Sequence, residues 1–251
     1  MGYANEYAES DRFDGQGAFA ADLSLEHRLA FLRKVYVHVF GAIVAFIALE
    51  AVILNVPAIR DGLLNIFWAT NGMIMLGFIA VSWICHKWAY SEVSTQTQYV
   101  GLGVYVFAES LFFAPLLYIA SGADPKFAAV GGGSHVIPTA AFLTLLIFGG
   151  LTAFVLLTKT DFSFMRGILS VITMAALGLI VASFFTPISL GLWFIVAMVV
   201  LFSGWILYDT SNILHHFPTH MYVAASLELF ASIATLFWYM IRLVMMFAGD
   251  D

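Results

Sequence analysis

The chain is poor in charge. Lys, Arg, Asp and Glu supply 10% of its 251 residues, while 62% are hydrophobic. A soluble domain carries about 25% charged residues. That deficit, with a mean hydropathy of +0.94, excludes an ordinary soluble fold and places the chain in a bilayer. Cysteine is nearly absent as well. The one thiol, Cys85, ends an apolar run, which excludes a disulfide framework and a cysteine metal site and fits a buried, inert side chain. Basic residues number only 10, and the net charge of −6 gives no nucleic-acid signal. Catalytic sets are missing too. There is no Gly-x-Ser-x-Gly, no Gly-x-Gly-Asp in the last apolar segment and no Lys there for a Schiff base. Gly131–Gly133 are not followed by Gly-Lys-Ser/Thr, so they are not a phosphate loop. The expectation is a protein that is not an enzyme and holds no metal or cofactor.

Six of the sixteen acids fall in the first 26 residues, a polar stretch without periodicity. Residues 1–26 read as a disordered acidic tail, without the basic-then-apolar order of a signal peptide. Such a tail can be a handle for a partner protein. Residues 27–251 read as one all-α transmembrane domain. Seven apolar segments follow the tail, spanning about 34–54, 67–85, 100–120, 136–158, 167–186, 190–208 and 222–246. Each is near the ~20 residues that cross ~30 Å of hydrocarbon as a helix. Helices are required, because a lipid-exposed backbone must satisfy its own polar groups. Pro187 divides the fifth segment from the sixth. The loop 121–135, with its glycines, reads as flexible coil. Gly149-Gly150, Gly72 with Gly77, and Ala175-Ala176 with Gly178 read as small-residue faces for close helix packing.

Lys and Arg near the segment ends set the orientation. Arg28, Arg33, Lys34, Lys87, Lys159 and Arg166 lie on one side, against Arg60, Lys126 and Arg242 on the other. The six place the N-terminus in the cytoplasm and the C-terminus outside.

Four acids sit within or at the ends of apolar segments: Glu50, Glu109, Asp209 and Glu228. An ionisable group inside a membrane costs roughly 2.5–3.5 kcal/mol on insertion scales and is a functional-site hypothesis by default. No Lys or Arg lies mid-segment to pair with them. Asp209 closes segment six. Glu228 sits about two turns into segment seven, with Ser232 one turn on along the same face. Two carboxylates brought together share a proton or a cation, which is the chemistry of an ion pathway or a pH-gated latch. Asp209, Glu228, Ser232 and Glu109 are its candidates. Glu50 is secondary, as are His38 and His86, candidate partners for Asp209. His215, His216 and His220 read as solvent-facing.

The Leu-Tyr-Asp-Thr ending of segment six, the Leu-Phe-Ala-Ser-Ile-Ala-Thr-Leu-Phe run of segment seven, the Ala-Pro-Leu-Leu-Tyr of segment three and the seven-segment layout resemble the Bax inhibitor-1 family. The resemblance covers roughly 28–246. It implies a seven-helix bundle with the last helix central. In calcium-leak members it implies an aspartate pair on helices six and seven that latches a pore against pH and calcium. Asp209 matches the first aspartate; the second position holds Ser232, with Glu228 one turn away. The family's arginine in helix two has no counterpart in segment two. The resemblance thus implies a pH-sensitive calcium or cation leak in a bacterial plasma membrane, with calcium as a transported ion. The alternative is a regulatory protein that binds a membrane-embedded protease or stress and cell-death machinery without conducting.

Overall fold

The structure is a computed structural model, and it describes residues 19–20, 25–70, 73–90, 94–187 and 189–249. Its α-helices are α1 (Leu25–Asn55), α2 (Pro57–Ala69), α3 (Met75–Ala89), α4 (Thr95–Ala120), α5 (Val136–Thr158), α6 (Met165–Ser183), α7 (Leu192–His215) and α8 (Tyr222–Ala248). No strand occurs among the described residues. Six helices, all but α2 and α3, are long and apolar enough to cross a membrane.

The expected second segment, 67–85, is not one helix. Pro57 at the first turn starts α2, which stops at Ala69, and α3 begins only at Met75. At 15 residues, α3 is shorter than the ~20 that span the hydrocarbon. The first segment is longer than expected and begins at Leu25. Charged residues hid this extension, but Phe31, Leu32, Val35, Val39 and Ala42 are all buried, at spacings that share one helical face. Helix α7 also outruns its expected end. Thr210, Ser211, Ile213 and Leu214 are buried beyond Asp209, so Asp209 lies nearly two turns inside the helix. A polar run had looked like a terminus. The Ser211 hydroxyl there finds protein partners.

Helix α8 packs against α7, α5, α1, α4 and α3. Helix α4 lies against α3 and α1. Apolar side chains elsewhere point outward, among them Phe40 and Ile47 on α1, Phe142 and Leu157 on α5, and Trp193 on α7. In lipid these gain nothing by burial, so the helices are held by close packing and by hydrogen bonds between them.

Of the small-residue faces, Ala176 packs against a buried cluster with Leu169, Ile195 and Met198, but the glycines do not serve that packing. A Cβ added at Gly77, Gly149, Gly150 or Gly178 would meet open space, and Gly72 lies outside the described residues. The close crossing is at Gly101 instead, where a Cβ would come within 2.7 Å of the Ala89 nitrogen. The loop 121–135 is also not flexible coil. A 3-10 turn at Pro125–Val130 and the bonds Gly132 N–H to Phe127 O and Gly133 N–H to Ala120 O, both 3.0 Å, order it. Gly131 has φ +81° and no room for a Cβ, which would stand 1.8 Å from the Met245 carbonyl oxygen at the end of α8.

Of the expected tail 1–26, residues 1–18 and 21–24 lie outside the described residues. Phe19 and Ala20 are described. Ala20 is buried, its N–H donates to the Phe217 carbonyl (3.2 Å), and its own carbonyl accepts from Arg28 Nε (2.9 Å). Phe19 forms a bridge with Pro218. Phe19 and Ala20 are thus fastened to the link between α7 and α8.

Gly131→Ala is expected to destabilise the fold by at least the ~1–3 kcal/mol of a left-handed backbone strain. Thermal unfolding in detergent checks this, with Gly149→Ala, at an open position, expected to be neutral; equal effects at the two sites would contradict the packing of the loop.

Candidate functional site

Helices α7 and α8 run side by side and bring Asp209 to Ser232. The Ser232 hydroxyl donates to Asp209 Oδ2 at 2.5 Å, and Asp209 is only 3% exposed. Glu228, one turn before Ser232 on α8, is half-buried and within electrostatic range of Asp209. Its Oε1 accepts from the hydroxyl of Tyr90, the residue that caps α3. Its Oε2 has no hydrogen-bond partner among the described residues. Arg166, exposed at the start of α6, is a cation that feels Glu228 at longer range. Neither acid has an ion pair with Lys, Arg or His among the described residues. Three helices therefore meet at two carboxyl groups, each accepting from one neutral hydroxyl.

The other expected site residues are distributed differently. Glu109 on α4 is buried, interacts with Tyr105 one turn earlier and leaves Oε2 unpartnered. Its acidic neighbour is Glu50, not Asp209. The four acids thus form two pairs. The histidines proposed as partners of Asp209 are engaged elsewhere. His38 Nδ1 donates to the Lys34 carbonyl (2.7 Å), and its Nε2 meets the Tyr99 hydroxyl (2.8 Å). His86 Nδ1 donates to the Ser82 carbonyl (2.8 Å), and its ring packs edge-on against Tyr105. Each ring is turned into its own helix by a carbonyl one turn back, which spacing alone did not reveal. No group of three or more His, Cys, Asp or Glu is arranged to hold a metal ion among the described residues.

Three contributors were missed from sequence. Tyr90 read only as an aromatic at a segment end. Ser211, in the polar run after Asp209, accepts from the Phe162 N–H (2.8 Å) and donates to the Thr160 carbonyl (3.3 Å). It fastens the α5–α6 loop to α7. Asp161 in that loop meets His216 Nε2 at 2.8 Å, so His216 is not simply solvent-facing.

A family model described as "Inhibitor of apoptosis-promoting Bax1" matches residues 28–249. The chain belongs to the Bax inhibitor-1 family. It is a multi-pass membrane protein. An uncharacterized protein of Pseudomonas aeruginosa is 30% identical over 188 residues, 74% of this chain and 77% of that one. Bax inhibitor 1 of Schizosaccharomyces pombe is 25% identical over 92% of this chain and 82% of its own. Protein lifeguard 4 of Mus musculus is 25% identical over 96% of this chain and 94% of its own.

Two predictions follow from the bonding. Ser232→Ala leaves a buried carboxyl without its donor and is expected to cost about 1–3 kcal/mol. Tyr90→Phe does the same to Glu228. Unfolding in detergent against wild type measures both, and no loss in either would mean the hydroxyls are incidental.

The loop carries a pH dependence. The Ser163 N–H and then His216 hold the Asp161 carboxyl down at about 2, below the ~3.9 of an unfolded Asp. Its stabilisation is complete above the unfolded value and is lost as pH falls toward the folded one. Hydrogen exchange at Ser163 is expected to accelerate as pH drops through that window, after correction for intrinsic rates, and Asp161→Asn to abolish the step. A step of the same size in the variant would assign it to another group.

Proposed function

We propose that the protein is a passive, pH-sensitive cation leak, with calcium as the candidate ion, in which Asp209, Glu228 and Ser232 form the latch. The observation that carries this reading is the burial of Asp209 at 3% exposure with a hydroxyl, not a cation, as its partner. A carboxylate so placed must take up a proton or a cation when its neighbours move. Glu109 and Glu50 would be the next acids along the route. The shift of the second family aspartate to Ser232 leaves Glu228 to supply the second charge. In this reading α3 is the seventh span, α8 the middle of the bundle, 1–26 a tail and 27–251 the membrane domain. The Lys and Arg bias supports a cytoplasmic N-terminus and a C-terminus outside, and the bacterial relative supports a bacterial plasma membrane. The reading involves no catalysis.

A second reading draws on Ala20, bonded to the α7–α8 link. A partner that pulled on the tail would tug directly on the loop above the acids. That supports a regulatory protein acting on a membrane protease or on stress and cell-death machinery, without conduction.

Calcium flux into liposomes separates the two. Wild type is expected to conduct with a pH dependence that Asp209→Asn and Glu228→Gln each flatten. Absent flux, or flux indifferent to both substitutions, would remove the leak and leave the regulatory reading.

A further inference from the structure

One acid of the second pair faces a space of its own. Glu50 is 5% exposed, and neither of its carboxyl oxygens has a hydrogen-bond partner among the described residues. It lines a cavity of about 420 Å³ together with Phe46, Thr144, Leu145, Phe230 and Ala234. The Thr144 hydroxyl is committed to the Ala140 carbonyl (2.7 Å) and gives Glu50 nothing. The cavity exists because α1 and α5 both pack on α8 but scarcely on each other. Its floor is buried, while Ile47 and Leu145 at the lips are 60% and 55% exposed. In a multi-pass membrane protein those lips open on lipid.

The chemistry of the occupant follows from the lining. The walls are apolar and suit an alkyl chain. The one unsatisfied group is an acid, with Glu109 close enough to act on it. An anionic amphiphile would add a third acid and no positive charge. An alcohol brings one donor and no charge. An ammonium head brings three donors and the opposite charge, and a charge-assisted bond in a dry site is about twice as strong as a neutral one. A bare metal ion would lack ligands, since no group of three suitable side chains is present among the described residues.

We propose that this seam binds a long-chain primary ammonium ion taken from the bilayer, its head on Glu50 and its chain along Phe46, Phe230 and Leu145. The proposal is independent of the leak reading.

The test uses the full chain in phosphatidylcholine nanodiscs with dodecylamine carrying a photoreactive diazirine on its chain, beside the matching dodecanol. The amine is expected to label peptides within 43–55 and 137–145 saturably, and the alcohol not to. Glu50→Gln is expected to weaken labelling by about thirtyfold or more, the scale for breaking one side of a buried charge pair. Ala234→Phe, which fills the floor and leaves Glu50 in place, is expected to prevent it. Equal labelling by the alcohol, labelling confined to other helices, or labelling unchanged in Glu50→Gln overturns the proposal. Should Glu50→Gln fail to fold, Ala234→Phe decides, and undiminished labelling there overturns it.

Discussion

A carboxyl group cannot remain charged and unaccompanied inside an apolar bundle. The hydrogen bond from Ser232 to Asp209 answers that constraint between two adjacent helices, and much of the nearby geometry follows. Asp209 can be buried only because α8 places a hydroxyl opposite it. Helix α7 can continue past the acid only because Ser211 takes up loop groups at Phe162 and Thr160. Tyr90 performs the same service for Glu228 from α3. All three donors or acceptors are neutral. A cation would have fixed the charge permanently, whereas hydroxyls allow the carboxyls to change state without leaving a buried positive charge behind. That freedom is what the proposed latch requires.

The surroundings are held by different means. With lipid outside, burying one more Leu gains little, so the bundle relies on contact and on polar ties. Gly101 lets α4 press against the end of α3, and Gly131 lets the 121–135 loop close over the end of α8. On the opposite end, Ala20 and Asp161 fasten the segments flanking α7 and α8. The α7–α8 link and the far end of α8 are thus tied, and between them Asp209 and Ser232 are joined across the two helices by a single hydroxyl bond.

The sequence made the class of protein plain. Low charge and apolar runs allow nothing else, and acids within such runs mark themselves because few arrangements tolerate them. Pairing was legible for Asp209, Ser232 and Glu228, since helical spacing puts the last two on one face. What could not be read depended on contacts between distant segments. Nothing local distinguishes Tyr90 from an interfacial aromatic. Nothing near His38 or His86 announces that a carbonyl one turn back will hold the ring. Polar runs were misread as ends at Asp209 and charged residues as ends at Lys34, because hydropathy measures composition and not what the residue meets. The glycines show the same limit from the other side. Gly149-Gly150 had the spacing of a packing face and faces open space, while Gly101, which had no such signature, makes the close contact.

The two acid pairs show why burial alone does not define a role. Asp209 and Glu228 each have a hydroxyl donor, and no cavity is needed to explain them. Glu50 has none on either oxygen, and beside it two helices stand apart. A natural core closes over a group it has satisfied, since open space forfeits contact energy on every surrounding side chain. A cavity kept open next to an unsatisfied acid therefore carries two costs at one place, and one ligand with an apolar chain and a donating head would remove both. The α7–α8 pair has no comparable deficit to fill.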